Sequence, residues 1–279
     1  MQDSKTFGFD EDTYLACNPD VQRAVMSGQF ASGFDHFMAF GRYEKRRGVT
    51  VDPTANDGDS PHPPEHLRFR VHGGRDLDGY LRLGQTISSD LNKLLSPGPI
   101  NLPANARVLD FGSGPGRVAT WLRQQHAEWQ IFGTDIDAEA IDWARANLSK
   151  VANFECNMAM PPLRYADESF DFIYSISIFT HLPEEMQDAW LAELSRVTRK
   201  GGYLALTTHA EYLLPASISM PDSGFYYSVG PGTDGLPGFY QTSFQTSDYI
   251  RKNWSRHFQV EQIVSRGLAG HQDLVICRK

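Results

Sequence analysis

Val108-Leu109-Asp110-Phe111-Gly112-Ser113-Gly114-Pro115-Gly116 is the stretch on which the reading of this chain turns. Ala106 to Phe111 is a short apolar run, read as a buried strand. Arg117 to His126 carries Val118, Trp121 and Leu122 at helical spacing. Glycine at three alternate positions between strand and helix lets a ligand approach the main chain, and such tight turns often need positive φ. The start of the helix offers unpaired N–H groups to an electronegative ligand. Pro115 removes one N–H from the loop, which ill suits a pyrophosphate but leaves room for a ligand presenting an amino-acid group and a ribose. Asp135 closes the next strand-like run, Gln130 to Thr134. A carboxylate about twenty residues beyond a glycine loop can accept two hydrogen bonds from ribose hydroxyls. Nicotinamide enzymes share this logic, so an NAD-dependent oxidoreductase stands as an alternative.

Working outward, strands and helices alternate. Ala138 to Ser149 places Ile141, Ala144 and Leu148 on one helical face, and Asn153 to Cys156 and Phe170 to Ile176 read as strands. Pro183 to Thr198 is the clearest helix: Glu184 and Glu185 suit its positive end, and Met186, Trp190, Leu194 and Val197 form its apolar face. Tyr203 to Thr208 is a fifth strand. This alternation implies a parallel sheet with helices on both faces. The tail reads as a helix, Thr246 to Arg256, then Phe258 to Val264 and Asp273 to Cys277, two closely joined strands that are antiparallel.

The 279 residues suit one ordinary domain plus a small extra one. Residues 1–47 read as a small helical module rich in aromatics, among them Phe7, Phe9, Tyr14, Phe30, Phe34, Phe37, Phe40 and Tyr43. Residues 48–66, dominated by proline, glycine and acid, read as a linker, and 67–279 as the main domain. With 26 Lys and Arg against 34 Asp and Glu the net charge is −8, which argues against a uniformly basic nucleic-acid face. Cys17, Cys156 and Cys277 are far apart and form neither a zinc motif nor a disulfide framework. No apolar run suggests a signal peptide or membrane span, so a cytoplasmic location is expected.

These residues resemble the class I S-adenosylmethionine-dependent methyltransferases over about residues 106–279. Val-Leu-Asp-Phe-Gly-Ser-Gly-Pro-Gly is similar to that family's first motif and Phe132-Gly133-Thr134-Asp135-Ile136-Asp137 to its second. Ser169 to Ser175 followed by Thr180-His181-Leu182 is similar to its fourth-strand motif, and Lys200-Gly201-Gly202-Tyr203-Leu204 to the turn before its fifth strand. The resemblance implies a Rossmann-like, mostly parallel seven-stranded sheet with an antiparallel final strand, and S-adenosyl-L-methionine as cofactor. It places Asp110, Gly112, Gly114 and Gly116 at the cofactor, Asp135 on the ribose, Ile136 against the adenine, Asn157 and Met158 at the adenine edge, and Ser175 near the same site. Many relatives carry Asp where Asn157 stands; its carbonyl oxygen can still accept a bond from the adenine amino group.

Methyl transfer needs nucleophile, carbon and sulfur held in line in a dry pocket, with no metal, and a hydroxyl acceptor gains from a base. His209, at the end of the fifth strand, is the first candidate for acceptor-side base or positioning group, His181 the second and His271 the third. Arg70 or His72 could meet the cofactor carboxylate or an acidic acceptor. Residues 211–245, a long insertion with Tyr212, Phe225, Tyr226, Tyr227, Phe239 and Tyr240, read as an acceptor lid. Tyr14 to Val21 with His36 to Arg46 resembles a short module of bacterial glycosyltransferases and surface polysaccharide proteins over residues 9–47. It implies a sugar or glycan acceptor, or a protein partner docked there. The expected function is O-methylation of a glycan or other hydroxylated small molecule; a non-catalytic scaffold in polysaccharide assembly is the remaining alternative.

Overall fold

Val108 and Leu109 are both fully buried, yet they belong to different cores. Successive strand residues point to opposite faces, so a strand apolar at both must be covered on both sides. The computed structural model describes residues 11–36, 61–95, 98–230 and 237–279, and shows that arrangement. The strands are β1 (Arg107–Phe111), β2 (Gln130–Asp135), β3 (Asn153–Cys156), β4 (Phe170–Ser175), β5 (Thr198–Thr208), β8 (Gln259–Leu268) and β9 (Gln272–Arg278). They form one seven-stranded sheet in the order β3-β2-β1-β4-β5-β9-β8. The β1–β2, β2–β3, β1–β4 and β4–β5 pairs are parallel, and β9 lies antiparallel between β5 and β8. The expected fold class, including the antiparallel final strand, is what the chain adopts. Strand order reverses at β1, which leaves a crevice beyond its carboxyl end.

One face packs Val108 and Ile131 against Val118 and Leu122 of α6 (Arg117–Gln125), Ile141 of α7 (Ala138–Asn147), and Ile87 and Leu91 of α5 (Leu77–Leu94). The other packs Leu109, Ile173 and Leu204 against Trp190 and Leu194 of α8 (Glu184–Val197) and Trp254 of α9 (Ser247–Trp254). Helix α5 was not expected. The Asp76 side chain caps it by accepting the N–H of Gly79, and its buried side includes Tyr80, Gly84, Ile87, Ser88, Leu91 and Leu94. Gly84 allows close approach to α6: a Cβ there would lie 2.9 Å from the Arg117 carbonyl oxygen. Helix α4 (Glu65–His72) begins inside the stretch 48–66 read as linker, a correction to that boundary.

The insertion 211–245, read as an acceptor lid, contains a hairpin, β6 (Phe225–Ser228) antiparallel to β7 (Thr242–Gln245). Backbone bonds tie β7 and its approach to the main domain: Gln241 N–H to the His181 carbonyl, Ser243 N–H to Thr180 and Gln245 N–H to His209. Beneath them Gln187 Nε2 donates to Ser243 Oγ and Gln245 Nε2 to Gln187 Oε1, all buried. At the amino end, α1 (Glu11–Cys17), α2 (Pro19–Met26) and α3 (Gly33–His36) are short helices. The Glu11 carboxylate accepts the N–H groups of Gly33 and Phe34, and the Tyr14 hydroxyl bonds His36 Nδ1. Phe7, Phe9, Phe37, Phe40 and Tyr43, and the linker up to residue 60, lie outside the described residues.

Candidate active site

At the carboxyl end of β1 the chain turns through Gly112, Gly114 and Gly116, all at positive φ. A Cβ on Gly112 would lie 2.3 Å from Ile178 Cδ1. A Cβ on Gly114 would lie 2.6 Å from Val71 Cγ1 of α4. The loop is therefore bare because neighbouring walls close on it. Its shape is held from β2: Asp135 Oδ2 accepts the Gly114 N–H at 2.8 Å, and Oδ1 accepts the Asp137 N–H at 2.9 Å. An ionised carboxylate has about four acceptor positions, so two remain. Burial raises the Asp135 carboxyl above its ordinary value, while the N–H groups of Asp137 and Gly114 oppose the shift.

The loop opens on a cavity of about 520 Å³. Asp110, Gly112, Gly114, Asp135, Ile136 and Asn157 line it, as do His181, His209 and His271. Three expected cofactor contacts lie off its wall, and each for a visible reason. Gly116 caps α6 and packs inward: a Cβ there would meet Leu148 Cδ1 at 2.7 Å and Phe154 Cζ at 3.1 Å. Met158 points to solvent, 76% exposed, while its neighbour Ala159 faces the cavity. Ser175 is fully buried in the sheet opposite Leu206 of β5, and the next residues, Ile176 and Ser177, reach the wall instead. Gly116→Ala is accordingly expected to cost about 1–3 kcal/mol of stability, as alanine is forced into left-handed backbone. Cofactor affinity, measured by calorimetry on the folded protein, should change less than about threefold, well under 1 kcal/mol.

The remaining polar atoms fit a nucleoside carrying an amino acid. Asn157 Nδ2 donates to the Met158 carbonyl, leaving Oδ1 buried with no partner. That is the acceptor an adenine amino group requires. Asp110 is also buried, and the Tyr174 side chain is hydrogen-bonded to it. Burial lifts the Asp110 carboxyl to about 7, the Asp135 charge adding to the shift and Tyr174 and Arg117 opposing it. Arg117, buried at the start of α6, lines the same wall. Sequence reasoning passed over Arg117, although it directly follows the glycine loop. Arg70, expected to meet the cofactor carboxylate, is engaged elsewhere. Its Nη1 lies 2.8 Å from Asp137 Oδ2 and its Nη2 2.8 Å from Glu139 Oε2. These pairs, with His66 on Glu139, fasten α4 to the start of α7. His72 also lines the cavity.

The wall also includes Ser177, Ile178, His181, Leu182, Trp190, His209, Phe239, Tyr240, His271 and Gln272. None of these is Lys, Arg, Asp or Glu. The His209 ring lies 5.9 Å from that of His181 and 6.0 Å from that of His271. Burial, reinforced by the two neighbouring histidines, holds His209 down to about 3, against a backbone hydrogen bond to Ser243 that opposes the shift. Burial lowers His181 as well, with the Gln241 carbonyl opposing. The three candidate histidines, up to 90 residues apart in sequence (181 to 271), thus meet at one end of one chamber. Gln272 Nε2 donates to Ser177 Oγ at 2.8 Å, and Tyr240 stacks on His181 at 4.3 Å. Tyr240 was noted only as one aromatic of the insertion, and Gln241 and Gln272 gave no signal, because their roles depend on backbone contacts far away in sequence. Among the described residues no three His, Cys, Asp or Glu side chains converge to hold a metal ion.

An open α/β sheet with a glycine loop and a carboxylate at its switch point defines a nucleotide-cofactor protein. Residues 109–206 match the family model of a methyltransferase domain. That stretch, which holds the glycine loop and Asp135, is thus similar to a methyltransferase domain that uses S-adenosylmethionine. It is 33% identical over 135 residues to the methyltransferase GfsG of Streptomyces halstedii, a match covering 47% of this chain and 45% of that one. It is 34% identical over 116 residues to the malonyl-[acyl-carrier protein] O-methyltransferase of Enterobacter lignolyticus, covering 41% and 44%. The matched stretches therefore span less than half the length of these relatives. In fold, the crystal structure of a SAM-dependent methyltransferase from Aquifex aeolicus superposes with a TM-score of 0.50 at 16% identity, over 78% of this chain and 98% of that one.

Proposed function

We propose that this chain is an S-adenosylmethionine-dependent O-methyltransferase acting on a hydroxylated small molecule, a sugar or glycan among them. The observation that carries the reading is one cavity that brings the glycine loop, Asp135 and Asn157 together with His181, His209 and His271. The cofactor supplies a methyl group on a sulfonium, a leaving group that departs neutral. In this reading Asp135 holds the ribose, Asn157 the adenine edge and Ile136 an adenine face. Ile178, Leu182 and Trp190 keep water from the centre. A relative from Enterobacter lignolyticus is an O-methyltransferase by name, which supports oxygen as the acceptor atom. The three histidines on the wall favour a hydroxyl over a carboxylate, since a hydroxyl gains from a base that takes its proton and an ionised carboxylate has none to give. The glycan reading draws on the module resembling residues 9–47. No helix among the described residues is long and apolar enough to cross a membrane.

The test is a labelled-methyl assay on three probes: p-nitrophenyl β-D-glucoside, 4-methylcatechol and benzoic acid. Calorimetry with S-adenosylhomocysteine and NAD runs beside it. We expect S-adenosylhomocysteine to bind, NAD not to bind, and a methyl ether to form on a hydroxyl probe. A methyl ester of benzoate without any ether would overturn the hydroxyl reading, and binding of NAD alone would overturn the cofactor.

A further inference from the structure

His181 Nδ1 lies within hydrogen-bond distance of the Gln241 backbone carbonyl. A carbonyl oxygen can only accept, so Nδ1 carries the hydrogen. A neutral imidazole with its proton on Nδ1 has its lone pair on Nε2. Burial keeps the ring neutral, and no hydrogen bond engages Nε2 among those shown by the described residues. With Nδ1 turned to the backbone, Nε2 is the ring nitrogen left for a ligand in the cavity His181 lines. Tyr240 and the backbone of Gln241 hold this residue in place. Tyr240 stacks on it with planes 25° apart, the Tyr240 hydroxyl donates to the Ser177 carbonyl at 2.7 Å, and the His181 carbonyl accepts the Gln241 N–H at 3.1 Å. His209 likewise has a backbone hydrogen bond, to Ser243, but its Nε2 lies 3.4 Å from Gln272 Nε2, so both of its ring nitrogens face protein groups.

Resting on the O-methyl reading above, we propose that His181 is the general base of the reaction, with Gln241 of the insertion fixing its tautomer so that Nε2 receives the acceptor proton. The acceptor oxygen forms its bond to the methyl carbon as the carbon–sulfur bond breaks, and that electron pair stays on sulfur. The O–H proton passes to Nε2, giving an imidazolium that later loses a proton to solvent. Gln241 is a positioning residue acting through its backbone carbonyl, so the insertion serves catalysis as a brace behind the base.

The variant that isolates this role is His181→Asn. Asparagine places an N–H where Nδ1 stood, so it can still donate to Gln241, but it has no atom at Nε2. Wild type, His181→Asn and His209→Ala are compared on the hydroxyl probe methylated fastest in the assay above. A lost general base costs about 10²–10⁴-fold. We expect His181→Asn to lower kcat at least about 100-fold, with added imidazole restoring part of it, and His209→Ala to lower it less than about tenfold, short of that range. S-adenosylhomocysteine affinity should be unchanged in both. Nitrogen-15 NMR of histidine-labelled wild type, saturated with S-adenosylhomocysteine, should show His181 protonated at Nδ1 and bare at Nε2. An Nε2–H tautomer, or near-normal turnover by His181→Asn, would overturn the proposal. So would a larger loss in His209→Ala. Failure of the wild type to bind S-adenosylhomocysteine would instead sink the underlying functional reading, which separates the two.

Discussion

Asp135→Ala is expected to weaken S-adenosylhomocysteine binding at least tenfold. Hydrogen bonds to a charged group contribute about 1.5–3 kcal/mol each, and tenfold is about 1.4 kcal/mol. The structure makes Asp135 more than a ribose partner, because its two oxygens already hold the Gly114 and Asp137 N–H groups. Alanine there removes a contact to the ligand and frees the loop and the start of α7 from their shared anchor. The loss should therefore exceed that of Asn157→Ala, which removes one neutral acceptor. Calorimetry on both variants checks this ranking. Unchanged affinity in Asp135→Ala would show that the ribose is held elsewhere.

Cofactor binding should also be linked to protons through Asp110. In the free protein burial holds this carboxyl up at about 7, so below pH 7 it is largely protonated. The sulfonium of S-adenosylmethionine is a cation, and an opposite charge nearby lowers a carboxyl by about 1–3 units. Binding must then expel a proton below pH 7, and affinity should rise with pH toward 7 and level off above it. The expected change is on the order of tenfold between pH 6 and pH 8. S-adenosylhomocysteine, whose sulfur is uncharged, should show a much flatter profile. Asp110→Asn should abolish the difference between the two ligands' pH dependences. Calorimetry at pH 6.5 in buffers of different ionisation enthalpy reads the released proton directly. Equal proton release for both ligands would contradict this account.

The sheet was legible because β1 and β4 are largely buried runs and helices with clear periodicity alternate with the strands. Asn153–Cys156 was read with the bounds it has in the structure. Helix α5 escaped because its buried side relies on Gly79, Gly84 and Ser88 as well as Ile87 and Leu91. Small residues conceal an apolar stripe while permitting helices to approach. The hairpin escaped because its strands are four residues each and draw support from Thr180, His181 and His209, all distant in sequence. At the site, the family resemblance pointed to Asp110, Gly112, Gly114, Asp135, Ile136 and Asn157, and all of these line the cavity. Gly116, expected there as well, lies off the wall, since a glycine needed for helix–strand packing has the same spelling as one that faces a ligand. Arg70 reads as a free cation in sequence, and only the fold brings Asp137 and Glu139 to it. The tautomer of His181 was beyond reach, because a backbone carbonyl leaves no mark in the sequence.

Helix α4 walls the nucleoside end of the chamber, and its grip on α7 is made of Arg70 with Asp137 and Glu139, and His66 with Glu139. A door fastened by charges answers to dissolved ions, which screen such pairs over about 8 Å at physiological strength. If exit of the spent nucleoside limits the cycle, salt should quicken turnover; if methyl transfer limits it, salt should leave the rate alone. Ionic strength thus becomes a clock-reader for the enzyme, telling which half of the cycle is slow without altering a single residue.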